Sequence, residues 1–196
     1  MMEEIRFASA ADTEAVRTLW EHCFPSADGF NDYFFAKIYQ PQTHLLLLRD
    51  GVLCAMTQML PYRQTHGGAA ETLTYIYGAC THPICRRQHL MDRLLHRSFE
   101  IDRQNGRAGS FLIPQEPWLY EFYAQFGYRT AFYTGQREFA RTDARMDGFM
   151  LHPMTARDHS VLNALYETAM GERDHLLRSA ASWAQQEALF RGCGSG

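Results

Sequence analysis

Residues 71–104 constrain the fold most strongly, because they have the patterns of a strand, a basic turn and a helix in direct succession. The segment ETLTYIYGACT (71–81) is rich in β-branched and aromatic residues, which favour a strand. Gly78 interrupts this strand and predicts a β-bulge or a close approach of another part of the chain. After the turn, apolar residues recur at helical spacing until about Gly106.

The turn THPICRR (81–87) is basic and contains no acidic residue. The first N–H groups of a helix have no intrahelical partner and carry a partial positive charge. Arg86 and Arg87 add two full charges there, which is unfavourable unless an anion binds. A strand, a proline turn and an open helix N-terminus form a geometry that binds phosphate. We therefore expect residues 86–91 to bind an anion, with charge-assisted hydrogen bonds from the two arginines.

The rest of the chain alternates short strand and helix patterns. The segment 44–62 has two apolar runs around Asp50-Gly51, which predict a β-hairpin, and a polar connection (63–70) leads from it into the next strand. The other predicted strands are 4–9, 108–114 and 128–140, the last being one bent strand or two. The other predicted helices are one opened by Asp12, one over 31–39 and one over 117–127. This order predicts an α/β (α+β) fold, with helices flanking a mixed, mostly antiparallel central sheet.

Composition limits the classes of protein that this chain can belong to. Its 196 residues are 46% hydrophobic and carry a net charge of −3, which argues against a nucleic-acid partner. The five cysteines form no C-x-x-C pair, as in a reduced protein. The longest aliphatic run, 45–48, is far shorter than the ~20 residues of a membrane span, and the acidic, polar start does not resemble a signal peptide. We expect a cytoplasmic protein with no membrane partner.

Residues 151–169 repeat the pattern of the first strand and helix at an offset of 146 positions. Asp12 corresponds to Asp158, Ser9 to Thr155 and Trp20 to Tyr166. Any capped amphipathic helix would align to some extent, but a shared offset over strand, cap and helix face favours a repeat. We therefore divide the chain into a first domain (1–145) and a strand-helix extension (146–196) that has the pattern of the start of a second, incomplete domain.

The segment GACTHPICRRQHLMDRLL, together with LYEFYAQFGY, resembles the GNAT superfamily of N-acetyltransferases over about residues 4–140. The family motif, Arg/Gln-x-x-Gly-x-Gly/Ala, corresponds to residues 86–91. Both segments look closest to the enhanced-intracellular-survival-like branch of multi-domain bacterial acetyltransferases, which contain two GNAT-like units. The resemblance implies acetyl-CoA as co-substrate and no metal. The residues that it implies for acetyl-CoA binding are Ala79, Cys80, Thr81, Arg86, Arg87, Gln88, His89, Leu90 and Met91.

The resemblance also implies a function and a catalytic residue. The function would be transfer of an acetyl group from acetyl-CoA to a primary amine, on a small molecule or a protein, by direct attack. Tyr123 occupies the position of the general acid, although an aromatic residue on this helix face is also typical of a core, and Tyr120 is the competing choice. Asp28 and Asp32 fall where the family binds its acceptor, but they also suit a turn and a helix cap. The sequence identifies no general base.

One departure from the motif leaves an alternative open. His89 stands where the family has its first glycine, which allows the pyrophosphate to approach the backbone closely. A histidine there would either crowd the site or donate to phosphate. The alternative function is therefore a non-catalytic CoA-binding or interaction module with a degenerate GNAT fold.

Two other chemistries are weaker interpretations of the same segment. Cys80, His82, Cys85 and His89 have the ligand types of a zinc site, but their spacing spans a strand end, a turn and a helix start. A catalytic cysteine lacks an identifiable His/Asp set.

The extension cannot form a stable core alone, because a segment of this size buries too little surface. We expect it to be a helical lid on the first domain or the contact of a homodimer. The predicted packing face of its first helix consists of Leu162, Leu165, Tyr166 and Ala169.

Overall fold

The computed structural model describes residues 2–26, 29–133 and 152–193. Within these ranges five strands form one sheet in the order β1-β2-β3-β4-β5. The strands are β1 (Glu3–Phe7), β2 (His44–Arg49), β3 (Val52–His66), β4 (Ala69–Thr81) and β5 (Gly109–Phe111). Neighbours from β1 to β4 are antiparallel, whereas β5 is parallel to β4. The predicted mixed, mostly antiparallel sheet is confirmed.

Helices flank this sheet as predicted. They are α1 (Thr13–Cys23), α2 (Phe30–Tyr33), α3 (Leu90–Gln104), α4 (Pro117–Ala124), α5 (His159–Met170) and α6 (Ala180–Cys193). Helix α2 continues directly into a π-helical turn, Phe34–Ile38. None of the helices in the described ranges is long and apolar enough to cross a membrane.

The sheet separates two apolar cores, and the alternation of side chains along β2 supplies both. Leu45 and Leu47 pack into the core beneath α3 and α4, whereas Leu46 and Leu48 pack into the core beneath α1 and α2. Successive side chains of a strand point to opposite faces, so an unbroken run of leucines suits a strand covered on both sides. Burying one such side chain contributes about 2 kcal/mol.

The cap that starts α1 recurs at the start of α5. The Asp12 carboxylate accepts hydrogen bonds from the backbone N–H and the hydroxyl of Ser9. The Asp158 carboxylate accepts the same two bonds from Thr155, both at 2.8 Å. Helix α1 begins at Thr13 and α5 begins at His159. These two starts are 146 positions apart, which is the offset of the repeat predicted from the sequence.

Two predicted features near the sheet differ from the structure. Residues 63–70 are not a polar connection, because β3 and β4 continue through them to a tight turn at Gly67-Gly68. This end of the hairpin is mostly exposed, so its strands lack the apolar alternation that marks a buried strand. Residues 128–133 follow α4 without forming a strand, and the remainder of the predicted 128–140 strand region lies outside the described residues.

The extension packs on the first domain at two places. Its segment 175–177 runs beside the end of β3, where the Thr65 N–H donates to the His175 carbonyl at 2.9 Å and the Leu177 N–H to the Arg63 carbonyl at 2.8 Å. Helix α6 approaches α2 so closely that a Cβ at Gly192 would lie 2.6 Å from the Tyr33 ring.

The packing face predicted for α5 is partly wrong. Leu162 and Tyr166 are half-buried, but Leu165 is 61% exposed and Ala169 is also exposed. Instead, α5 contacts α6 through a different side of the helix from the predicted one. His159 pairs with Glu187 at 2.7 Å, and Asn163 accepts a hydrogen bond from the Trp183 indole at 3.1 Å.

Candidate active site

The predicted β-bulge in β4 is confirmed at Gly78. Gln58 of β3 pairs with Tyr77 and Met56 pairs with Cys80, so β4 has one residue more than its partner over this stretch. Gly78 has φ +58°, and a Cβ there would lie 2.2 Å from the Trp20 ring of α1. Only glycine fits this position, because both the backbone and the available space exclude a side chain.

A cleft opens where β4 and β5 separate. The two strands pair only from Leu73 to Tyr75 and from Gly109 to Phe111, after which β4 continues to Thr81 with β3 as its only partner among the described strands. The cleft has a volume of about 480 Å³ and is lined by segment 112–115 together with residues from α1, β4 and α4. The residues that line the cleft include Trp20, Cys23, Gly78, Ala79, Leu119 and Tyr123.

Tyr123 is the ionisable residue that α4 contributes to this cleft. Its side chain is 8% exposed and packs against Phe122 and Tyr128. Burial raises the pKa of Tyr123, and the nearby Cys80 thiol raises it further. The phenol therefore stays protonated at neutral pH and is chemically able to donate a proton inside the cleft.

The other residues considered from the sequence lie elsewhere. Tyr120 is half-exposed and is not part of the cleft lining. Asp32 likewise does not line the cleft; its side chain is 79% exposed and pairs with Arg17. Asp28 lies outside the described residues. Sequence reasoning missed Trp20 and Cys23, which line the cleft from the end of α1; their helical spacing marked them only as core residues.

The predicted anion site is a turn with an unusual backbone. Arg87 and His89 have φ of +60° and +55°, the left-handed conformation that favours glycine. His89 thus has a backbone conformation that favours glycine, which is the residue that the motif has there, and its side chain is 83% exposed. Helix α3 begins at the next residue, so its first N–H groups face the turn without intrahelical partners.

An acidic residue that the sequence interpretation overlooked modifies this turn. Asp92 lies in the first turn of α3, and its carboxylate is 2.7 Å from His89 Nδ1. It supplies a negative charge at the helix start, where such a charge is favourable. The turn therefore already holds one anionic group of its own.

The polar residues of the turn form hydrogen bonds with neighbouring parts of the chain. Arg86 Nε donates to the Thr81 carbonyl at 3.3 Å. The Gln88 side chain accepts a hydrogen bond from Arg49, and its own amide donates to the Ile84 carbonyl at 3.4 Å. Arg87 is exposed, Leu90 is buried and Met91 is half-buried. Ala79 lines the cleft, whereas Cys80 packs in the core beneath α1.

The residues considered for zinc do not converge. Cys80 pairs with Cys23, Cys85 with Cys54, and His89 with Asp92. His82 caps the short turn after β4 through Ile84. Across the ranges that the structure describes, no group of three or more His, Cys, Asp or Glu side chains is placed to hold a metal ion.

A family comparison shows that the fold and the cleft are those of an acyl-group-transferring protein. Residues 4–131 match the acetyltransferase (GNAT) domain family. Since this match covers more than half of the chain, the chain belongs to the GNAT acetyltransferase family. No curated protein matches the chain.

Solved structures of other proteins share this fold. A probable N-acyltransferase from Enterococcus faecalis V583 has a TM-score of 0.55 and 17% sequence identity to this chain. The alignment covers 65% of this chain and 32% of that protein, so this chain spans about a third of its length. AAC(6')-Iy in complex with a CoA bisubstrate analogue has a TM-score of 0.55 and 15% identity over 74% of this chain and 100% of its own. Eis1 from Mycobacterium abscessus has a TM-score of 0.53 and 19% identity over 65% of this chain and 31% of its own. At these identities the likeness concerns the fold.

Proposed function

We propose that the protein is an N-acetyltransferase that moves the acetyl group of acetyl-CoA to a primary amine. One observation carries the proposal: the buried Tyr123 phenol and the Gly78 bulge line the same cleft. The bulge leaves one residue of β4 outside the ladder of backbone hydrogen bonds, and an N–H group there can bind the thioester oxygen. Residues 86–91 would bind the diphosphate through the start of α3 and the two arginines.

The proposed reaction is a direct attack. The amine nitrogen bonds to the thioester carbonyl carbon, and the oxygen takes up negative charge at the bulge. The carbon–sulfur bond then breaks, and Tyr123 donates its proton to the departing CoA thiolate. The proton of the amine passes to solvent, and the Tyr123 phenolate regains a proton from solvent.

A second candidate function is favoured by the His89–Asp92 pair. A carboxylate beside the helix start opposes a diphosphate that approaches the same N–H groups. A chain that keeps the GNAT fold with a weakened anion site would be a non-catalytic CoA-binding or interaction module.

We also propose that the protein is closest to the enhanced-intracellular-survival-like branch and that the extension acts as a helical lid. The repeated cap at Thr155 and Asp158 supports two related units in one chain. Helix α6 packs on α2, and Phe30 and Asn31 of α2 line the cleft, which supports the lid.

Calorimetric titration with acetyl-CoA tests the first of these proposals. At a ligand concentration ~100 times the Kd, the native state gains ~2.7 kcal/mol, so a melting scan gives an independent readout. Arg86→Ala with Arg87→Ala should weaken binding at least about tenfold, because each charge-assisted bond contributes about 1.5–3 kcal/mol. Arg97→Ala, an exposed arginine of α3 paired with Glu100, is the matched control. Absence of binding at millimolar acetyl-CoA would contradict the proposal.

A further inference from the structure

Four cysteines lie in two pairs around the end of β4. Cys23 of α1 packs against the apolar core that contains Cys80 of β4, and the two thiols influence each other's pKa. Cys85, in the turn after β4, packs in the same way against the core that contains Cys54 of β3. In each pair one thiol is half-buried, at Cys23 and at Cys85, and the other is buried.

One member of the first pair, Cys23, is accessible from the cleft, whereas Cys80 is buried. Cys23 belongs to the cleft lining, and Trp20, one helical turn earlier, lies against Gly78. The last turn of α1 is thus already in contact with β4 beside the bulge. A disulfide between Cys23 and Cys80 would bring their sulfur atoms to about 2.05 Å without joining elements that are not already packed together.

The two thiols of the first pair differ in chemical reactivity: the interaction with Cys23 and burial raise the pKa of Cys80 well above its ordinary value. The hydrogen bond from Cys80, together with the charge and hydrogen bond of Arg86, lowers the pKa of Cys23 to about 7. Burial raises the pKa of Cys54 to about 11. The thiolate is the form that attacks disulfides, so Cys23 is reactive at neutral pH.

We propose that Cys23 and Cys80 are a modification site that exchanges with low-molecular-weight disulfides and closes to a reversible disulfide. The Cys23 thiolate attacks one sulfur of the small disulfide, forms a mixed disulfide and releases one small thiolate. Cys80 then attacks the Cys23 sulfur, releases the second small thiol and passes its proton to solvent. Two protein thiols are oxidised, and one small disulfide is reduced to two thiols.

The closed bond ties α1 to β4 across residues 23–80. A disulfide stabilises chiefly by restricting the unfolded chain, and more so for a long loop. We therefore expect the melting temperature of the oxidised protein to rise by several degrees and to return when a dithiol reductant is added.

The test uses the full chain with Cys193→Ser, treated with glutathione disulfide at pH 7.5 and analysed by mass spectrometry. The expected product is two hydrogen atoms lighter, and peptide mapping places the bond between Cys23 and Cys80. In Cys80→Ser the second step is blocked, so a single glutathione adduct should accumulate on Cys23. Cys54→Ser is the matched control and should still form the Cys23–Cys80 bond.

The opposite results would overturn the proposal. One is a crosslink between Cys54 and Cys85 in place of the expected one. Another is a Cys80→Ser protein that carries no adduct on Cys23. The third is that treated and untreated proteins have equal mass and equal melting temperature. A further readout rests on the proposed function: the glutathione adduct on Cys23 should lower acetyl-CoA affinity by at least about tenfold, since it occupies the cleft. An adduct that leaves this affinity unchanged would contradict the placement of the acetyl group, and not the thiol exchange.

Discussion

The indole ring of Trp20 lies against the backbone of Gly78, at a distance that leaves no room for a Cβ atom. The ring also stacks on Phe34 with centroids 4.4 Å apart, and its N–H donates to Asn31 at 3.0 Å. This contact fixes the end of α1 beside the bulge of β4, and thereby forms one wall of the cleft.

Gly78→Ala should therefore destabilise the protein by about 3 kcal/mol. A side chain in the left-handed conformation costs about 1–2 kcal/mol, and crowding in a packed core costs about 1–3 kcal/mol. Gly51→Ala is the control, because Gly51 also has positive φ but nothing lies within 4 Å of an added Cβ. Denaturant unfolding measures both variants. Equal losses of stability at the two positions would show that Trp20 yields to the added atom.

His44 predicts a pH dependence of stability. Its side chain is buried beside the Trp20 and Tyr39 rings, and burial lowers its pKa to about 4. The unfolded chain protonates this histidine near pH 6.5, so its stabilising effect is complete above pH 6.5 and is lost as the pH falls through 4. We expect a loss of about 3 kcal/mol across this window.

Melting temperatures between pH 7 and 4 test this expectation. His44→Leu should flatten the pH dependence, whereas His96→Ala, at an exposed position, should retain it. A wild-type curve that His44→Leu does not change would assign the acid sensitivity to other groups.

Asp92→Asn should strengthen acetyl-CoA binding about two- to fivefold. A charge at a helix terminus contributes about 0.3–1 kcal/mol, and here the carboxylate repels the diphosphate. Glu100→Gln, farther along the same helix, is the control and should have little effect.

His89→Gly should change the affinity less than about twofold, because the histidine side chain is 83% exposed. Calorimetric titration measures all three, and tighter binding by His89→Gly would show that the histidine crowds the site.

Removal of residues 146–196 should lower the melting temperature and the solubility. The truncated protein loses the backbone hydrogen bonds of Thr65 and Arg63 to segment 175–177, and exposes the face of α2 that α6 covers. Deletion of residues 194–196 alone is the control. A truncated protein with an unchanged melting temperature and size-exclusion volume would show that the extension is a passive appendage.

Local patterns in the sequence predicted much of the fold. The leucine run and Asp50-Gly51 predicted the first hairpin, and Gly78 predicted the bulge, because each signal lies within a few residues of its structure. The cap of α1 was marked by Asp12 in the same way. The distal part of the β3–β4 hairpin was missed, because it is mostly exposed and its strands lack the apolar alternation of a buried strand.

The site was less predictable than the fold. Tyr123 and residues 86–91 were identified by resemblance to a family, whereas the cleft that brings Tyr123 to Gly78 depends on where two strands separate. The thiol pair of Cys23 and Cys80 joins residues of α1 and β4 with no sequence signal in either. The Asp92 carboxylate was visible in the sequence, and attention to acidic residues inside the first helical turn would have found it.

Acetyl transfer by Tyr123→Phe tests the central claim most directly. Wild-type protein and variant are compared with acetyl-CoA and a panel of primary amines, and the release of CoA is followed. Loss of the phenol should lower kcat on the order of 100-fold and leave the acetyl-CoA Kd nearly unchanged, since the proton is donated only as the thiolate departs. Tyr120→Phe, a half-exposed tyrosine of the same helix, should retain wild-type turnover. Undiminished turnover in Tyr123→Phe would contradict the account.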